Sequence, residues 1–121
     1  MKHRKLYIKL YAEGDNVNYY TIQFENEISE TQKFFDNFEE EEYEKDIKTI
    51  LAIMEKISES RAVERHFRME GKIRDSAVAL PGNLYSSNLR LYCLRISDKI
   101  VILGNGGLKK TKTYNEDEWL S

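Results

Sequence analysis

The chain predicts an α+β domain, with strands at both ends and a helical hairpin between them. Three observations carry this fold class. Apolar residues alternate with a period of two at the start and in the last third of the chain, and recur at three and four residues in the middle. The composition, 40% hydrophobic and 12% aromatic, can build a core that a disordered chain lacks. One Pro and six Gly exclude collagen-like and Pro-rich classes. With 121 residues, no repeat and no flexible linker, residues 1–121 read as a single domain.

The first element is LYIKLYA, where Leu6, Ile8 and Leu10 alternate with Tyr7, Lys9 and Tyr11. Glu13-Gly14-Asp15-Asn16 is turn chemistry, and Val17–Phe24 is rich in strand formers, so the two segments predict an N-terminal β-hairpin. Ser29-Glu30-Thr31-Gln32 fits a capping box, with Ser29 as the cap and Gln32 reaching back. Phe34, Phe35 and Phe38 give the first helix its buried stripe, and Glu39–Glu42 mark its solvated end or a turn. A second helix buries Ile47, Ile50, Leu51, Met54 and Ile57. Both helices are expected on one face of the sheet.

Beyond Ser60 the pattern turns basic and extended. Arg61, Arg65, Arg68, Lys72 and Arg74 are interleaved with His66 and Phe67, and Val78–Leu80 reads as a short strand ended by Pro81-Gly82. Asn88–Ile96 and Lys99–Gly104, joined by Ser97-Asp98, form the strongest strand pair. The unbroken apolar run Ile100–Leu103 predicts a strand that is central or covered on both faces. Asn105-Gly106-Gly107 reads as a turn, Leu108–Tyr114 as a basic extended segment, and the end as acidic.

Charge is segregated although the net value is only −2. Residues 25–59 hold twelve acidic and four basic side chains, whereas residues 60–112 hold four acidic and eleven basic ones. Such a split either makes a patch for a polyanion or lets acidic helices neutralise basic strands. No apolar run approaches a membrane span. Lys9 interrupts the first apolar stretch without a cleavage site after it, so no secretory leader is expected. The single Cys93 fits a reducing cytoplasm.

Most enzyme chemistries lack their residues here. Two histidines and one cysteine cannot supply a zinc site, so no metal and no cofactor are expected. No GxSxG elbow accompanies either histidine, and the glycines at 104–107 lack a P-loop Lys-Ser/Thr. Basic and aromatic residues remain: Arg65, Arg68, Lys72, Arg74, Arg90, Arg95, Lys109, Lys110 and Lys112 for phosphates, with Phe67, Tyr92 and Tyr114 to stack on bases. Strand parity places Arg90 and Tyr92 on one face with Leu94 and Ile96, and Arg95 on the other with Leu91 and Cys93. Arg90 then either meets a phosphate or pairs with a helix carboxylate, and the lysines either bind RNA or protect a solvated edge.

The segment LRLYCLRISDKIVILGNGGLKKTKTYNED, together with the basic run before it, resembles bacterial type II toxins of the RelE/HigB/ParE superfamily, most closely the HigB-like branch. Arg90, Ser97-Asp98, Val101–Leu103, Lys109-Lys110, Lys112-Thr113 and Glu116 follow the order of that branch. The resemblance implies a compact domain that cleaves messenger RNA on the ribosome without a metal, through attack of the 2′-hydroxyl on the adjacent phosphate. It implies that Arg90 stabilises the phosphate and that Lys109 and Lys110 position RNA, with Tyr114 or His66 as acid/base groups. It also implies an antitoxin partner, of helix-turn-helix type in some systems, that covers this surface. The alternative from another class is a non-catalytic module of the same fold that binds a protein or RNA.

Overall fold

The computed structural model describes residues 4–69, 77–82 and 85–109. Strands β1 (Leu6–Glu13) and β2 (Asn18–Phe24) lead into helices α1 (Glu30–Asn37) and α2 (Glu44–Glu59), with a 3-10 turn at Glu41–Tyr43 between them. Strands β3 (Arg68–Met69), β4 (Ala77–Leu80), β5 (Leu89–Arg95) and β6 (Ile100–Leu108) follow. The domain is α+β, and its strands form one sheet in the order β1-β2-β6-β5-β4-β3.

The N-terminal hairpin is present, and β3, β4, β5 and β6 pair antiparallel with their neighbours in turn. The hairpin joins this set through a parallel pairing of β2 with β6, so the sheet is mixed. A parallel neighbour needs a long crossover, and the helices and intervening strands supply it. As predicted for Ile100–Leu103, β6 is internal to the sheet; Val101 and Leu103 are fully buried while Ile100 is exposed, so it is covered on one side only.

That covered side is the core. Tyr19 from β2, Leu89, Leu91 and Cys93 from β5, and Val101 and Leu103 from β6 pack against Phe34 of α1 and Ile50, Ile53, Met54 and Ile57 of α2. Polar groups on this side are bonded. The Tyr19 hydroxyl donates to the Met54 carbonyl at 2.8 Å, and the Thr31 hydroxyl, 2.6 Å from that of Thr21, donates to the Gly104 carbonyl at 3.0 Å. The buried Asp46 carboxylate accepts from the Ser87 hydroxyl at 3.2 Å and the Asn88 amide at 3.1 Å, tying α2 to the entry of β5.

Four local expectations change. Ser29 caps α1 through its hydroxyl, which accepts from the Gln32 amide at 3.1 Å, but the Gln32 side chain donates forward to Asp36 rather than back. In α2 the buried position is Ile53, while Leu51 lies on the exposed face. The β5–β6 connection is longer than Ser97-Asp98, because β5 ends at Arg95 and β6 begins at Ile100. Asn105-Gly106-Gly107 is not a turn but the continuation of β6. A register shift between Leu91 and Cys93 marks a bulge here, and a Cβ on Gly106 would lie 2.0 Å from the Arg90 carbonyl and 2.9 Å from the Phe34 ring. Glycine is required there by the close approach of neighbouring strand and helix.

Candidate nucleic-acid interface

The other side of the sheet carries no described helix. Residues paired across strands share a face, so the register identifies what stands there. Leu6, Ile8 and Leu10 of β1 pair with Phe24, Ile22 and Tyr20 of β2, and Tyr20 pairs with Ile102 of β6. Ile102 pairs with Leu94, and Leu94 with Ala77. This half of the open side is apolar. An open depression of ≈ 290 Å³ sits in it, lined among others by Ile22, Ala77, Tyr92, Leu94, Ile102 and Gly104.

Toward β3 the same side turns basic. Arg68 pairs with Ala79, and Ala79 with Tyr92, which places Arg68 and Tyr92 in one row across the short β4. Arg90 stands opposite Gly107, and Lys109 continues that face, its amide bonding the Asn88 carbonyl at 2.8 Å. Two glycines face this side: Gly107, around which a Cβ would meet nothing within 4 Å, and Gly104, whose Cβ would touch only the Tyr92 carbonyl. On β6 the two positions opposite Arg90 and beside Tyr92 therefore carry no side chain of their own. Arg68 is also bonded locally, its guanidinium donating to the Gly82 carbonyl at 3.3 Å.

Of the residues singled out by sequence, Arg68, Arg90, Tyr92 and Lys109 share this side, spread over the strands from β3 to the end of β6. Arg65 is exposed on the 3-10 turn Glu64–His66, outside the sheet. His66 is buried in that turn. Burial, with the nearby Arg65 and Lys56 charges, pushes its pKa below the ordinary 6.5 and keeps the imidazole neutral. Phe67 belongs to the core rather than to a stacking surface. Arg95 faces the helices, as parity requires, and its guanidinium bonds the Ala62 carbonyl. Cys93 is buried, and desolvation pushes its thiol far above the usual range, so it is not a nucleophile. Lys72, Arg74, Lys110, Lys112 and Tyr114 lie outside the described residues.

Sequence reading missed Ile22, Ile102 and the bare glycines as partners of the basic corner. Their signal was the parity of β2 and β6, which becomes usable only once their parallel register is known. Among the described residues no group of three or more His, Cys, Asp and Glu side chains is gathered for a metal ion. Nor is any described helix long and apolar enough to cross a membrane. The chain matches no family model, no curated protein and no solved structure.

Proposed function

We propose that the protein is the toxin component of a bacterial type II toxin–antitoxin system, a RelE/HigB-like endoribonuclease that acts on ribosome-associated mRNA in the cytoplasm without a metal. The observation that carries this reading is the register that puts Arg68, Arg90, Tyr92 and Lys109 on the sheet face opposite the described helices. The acidic helices occupy the opposite side, so a polyanion approaching this face is kept away from most of the chain's carboxylates.

In this mechanism Tyr92 stacks on a base and Lys109 holds the chain by its phosphates. The 2′-oxygen attacks the neighbouring phosphorus while the bond to the 5′-oxygen breaks, leaving a 2′,3′-cyclic phosphate and a 5′-hydroxyl. Arg90 offsets the charge that builds on the phosphoryl oxygens. The proton passes from the 2′-hydroxyl to a base and from an acid to the departing 5′-oxygen. With His66 buried, Tyr114 is the group to which this reading assigns the proton transfer.

The apolar half of the open side supports a second role, contact with a protein. In the toxin reading that protein is the antitoxin; in the alternative it is the sole ligand of a non-catalytic module. Controlled induction in a bacterial host, with mapping of RNA 5′ ends, separates the two. The toxin reading expects growth arrest and new 5′ ends, both relieved by Arg90→Ala or Lys109→Ala at equal expression. Normal growth with folded wild-type protein and no new ends favours the non-catalytic module.

A further inference from the structure

We infer that β1 is an interface between two copies of this chain, which join edge to edge as antiparallel strands about a two-fold axis at Ile8. The inference is independent of the RNA reading. β1 is the outermost strand of the sheet. Leu6, Ile8 and Leu10 are 53%, 50% and 52% exposed, and Tyr7 on the reverse side is 41% exposed. A long apolar edge strand of this kind is a template for pairing.

The backbone phase defines which residues can bond a second strand. The Lys5 carbonyl accepts from the Glu25 amide of the β2 side at 2.9 Å. Alternation then turns the peptide groups of Lys5, Tyr7 and Lys9 toward β2 and those of Leu6, Ile8 and Leu10 outward. A two-fold axis normal to the sheet keeps each face on its own side, so outward residues of one copy meet outward residues of the other.

Charge selects among the registers this allows. An axis at Lys9 sets Lys9 against itself, and an axis at Tyr7 sets Lys9 against Lys5 of the second copy. Directly opposed like charges are destabilising. An axis at Ile8 opposes Leu6 to Leu10 and Ile8 to Ile8, while Lys9 faces the aromatic ring of Tyr7 in the second copy. Within one chain the Lys9 ammonium already lies 5.6 Å from the Tyr7 ring. In this register each of the outward pairs exchanges two backbone hydrogen bonds. Lys9 thus chooses the register rather than blocking the edge. The bulge between Leu10 and Ala12 ends the paired stretch at Leu10. The result is a continuous sheet with both helical layers on one side and the two basic corners at its far ends.

Sedimentation of the full chain at micromolar concentration is the test, beside Ile8→Pro and Leu94→Lys. Proline removes an outward amide that β2 does not use, a position where edge strands tolerate it. The expected result is twice the chain mass for wild type and Leu94→Lys, and one chain mass for Ile8→Pro with an unchanged circular dichroism spectrum. Ile8→Cys gives an independent readout. Its copies would sit with Cα atoms about 5.5 Å apart, within disulfide reach, and should cross-link on mild oxidation while Leu94→Cys does not. If Ile8→Pro fails to fold, this cross-link alone decides. A monomeric wild type without the Ile8 cross-link would overturn the inference. So would a dimer dissolved by Leu94→Lys and retained by Ile8→Pro, which would mean packing through the open faces.

Discussion

The two sides of the sheet are made by the same strands, yet they are finished in opposite ways. On the helix side Leu91, Val101 and Leu103 are sealed under Phe34 and Ile50, and the polar groups there, such as Thr31 and Asp46, are bonded. On the open side, side chains of similar size stand exposed: Leu94 on the strand of Arg90 and Tyr92, Ile96 just past its end, and Leu6 and Ile8 at the far edge. Period-two alternation therefore marks two faces in this chain, one sealed by the helices and one on which apolar side chains stay exposed. Exposed apolar surface of this kind is a common feature of binding faces, and the proposed RNA and protein contacts use it in that way.

The contrast is broken most severely by truncating the lid of the core. Phe34→Ala empties a fully buried site between α1 and β6 and should cost about 3–5 kcal/mol, read from denaturant unfolding. Leu94→Ala, on the open side, should stay within about 0.5 kcal/mol of wild type in the same measurement. Equal losses at the two positions would mean that the open side is part of the core.

Smaller effects sharpen the boundary between the sides. Gly106→Ala forces a methyl against the Arg90 carbonyl and the Phe34 ring, and should destabilise by about 1–3 kcal/mol, lowering Tm. Gly107→Ala projects its methyl into open space and should leave packing unchanged. His66 adds a pH dependence. Its folded pKa lies below 6.5, so the unfolded chain takes up a proton first as pH falls. The stability it contributes is complete above pH 6.5 and is lost as pH drops from there through the folded value. Unfolding midpoints measured down this range should fall less steeply in His66→Gln than in wild type.

Local pattern exposed much of this in the sequence. The alternation of Leu89, Leu91 and Cys93 with Arg90, Tyr92 and Leu94 was legible, and so was Ser29 as a helix cap. What escaped was long-range. The parallel register of β2 with β6 depends on contacts made across the whole chain, and only that register brings Ile22 and Ile102 beside Leu94. The Asn-Gly-Gly stretch mimics a turn because glycine serves two purposes, and here it admits Phe34 and a neighbouring carbonyl. His66 sits in a basic, aromatic run that reads as surface, but a 3-10 turn rolls it inward.

The claim that the basic corner of the open side meets RNA is tested most directly by the salt dependence of single-stranded RNA affinity. Wild type should be compared with Arg90→Ala, Lys109→Ala and Arg61→Ala, whose guanidinium pairs with Asp98 instead. Each lost phosphate contact should reduce the slope of log affinity against log salt by about 0.7, so Arg90→Ala and Lys109→Ala flatten it and Arg61→Ala does not. Slopes identical in all four proteins, or no binding by folded wild type at low salt, would contradict the account.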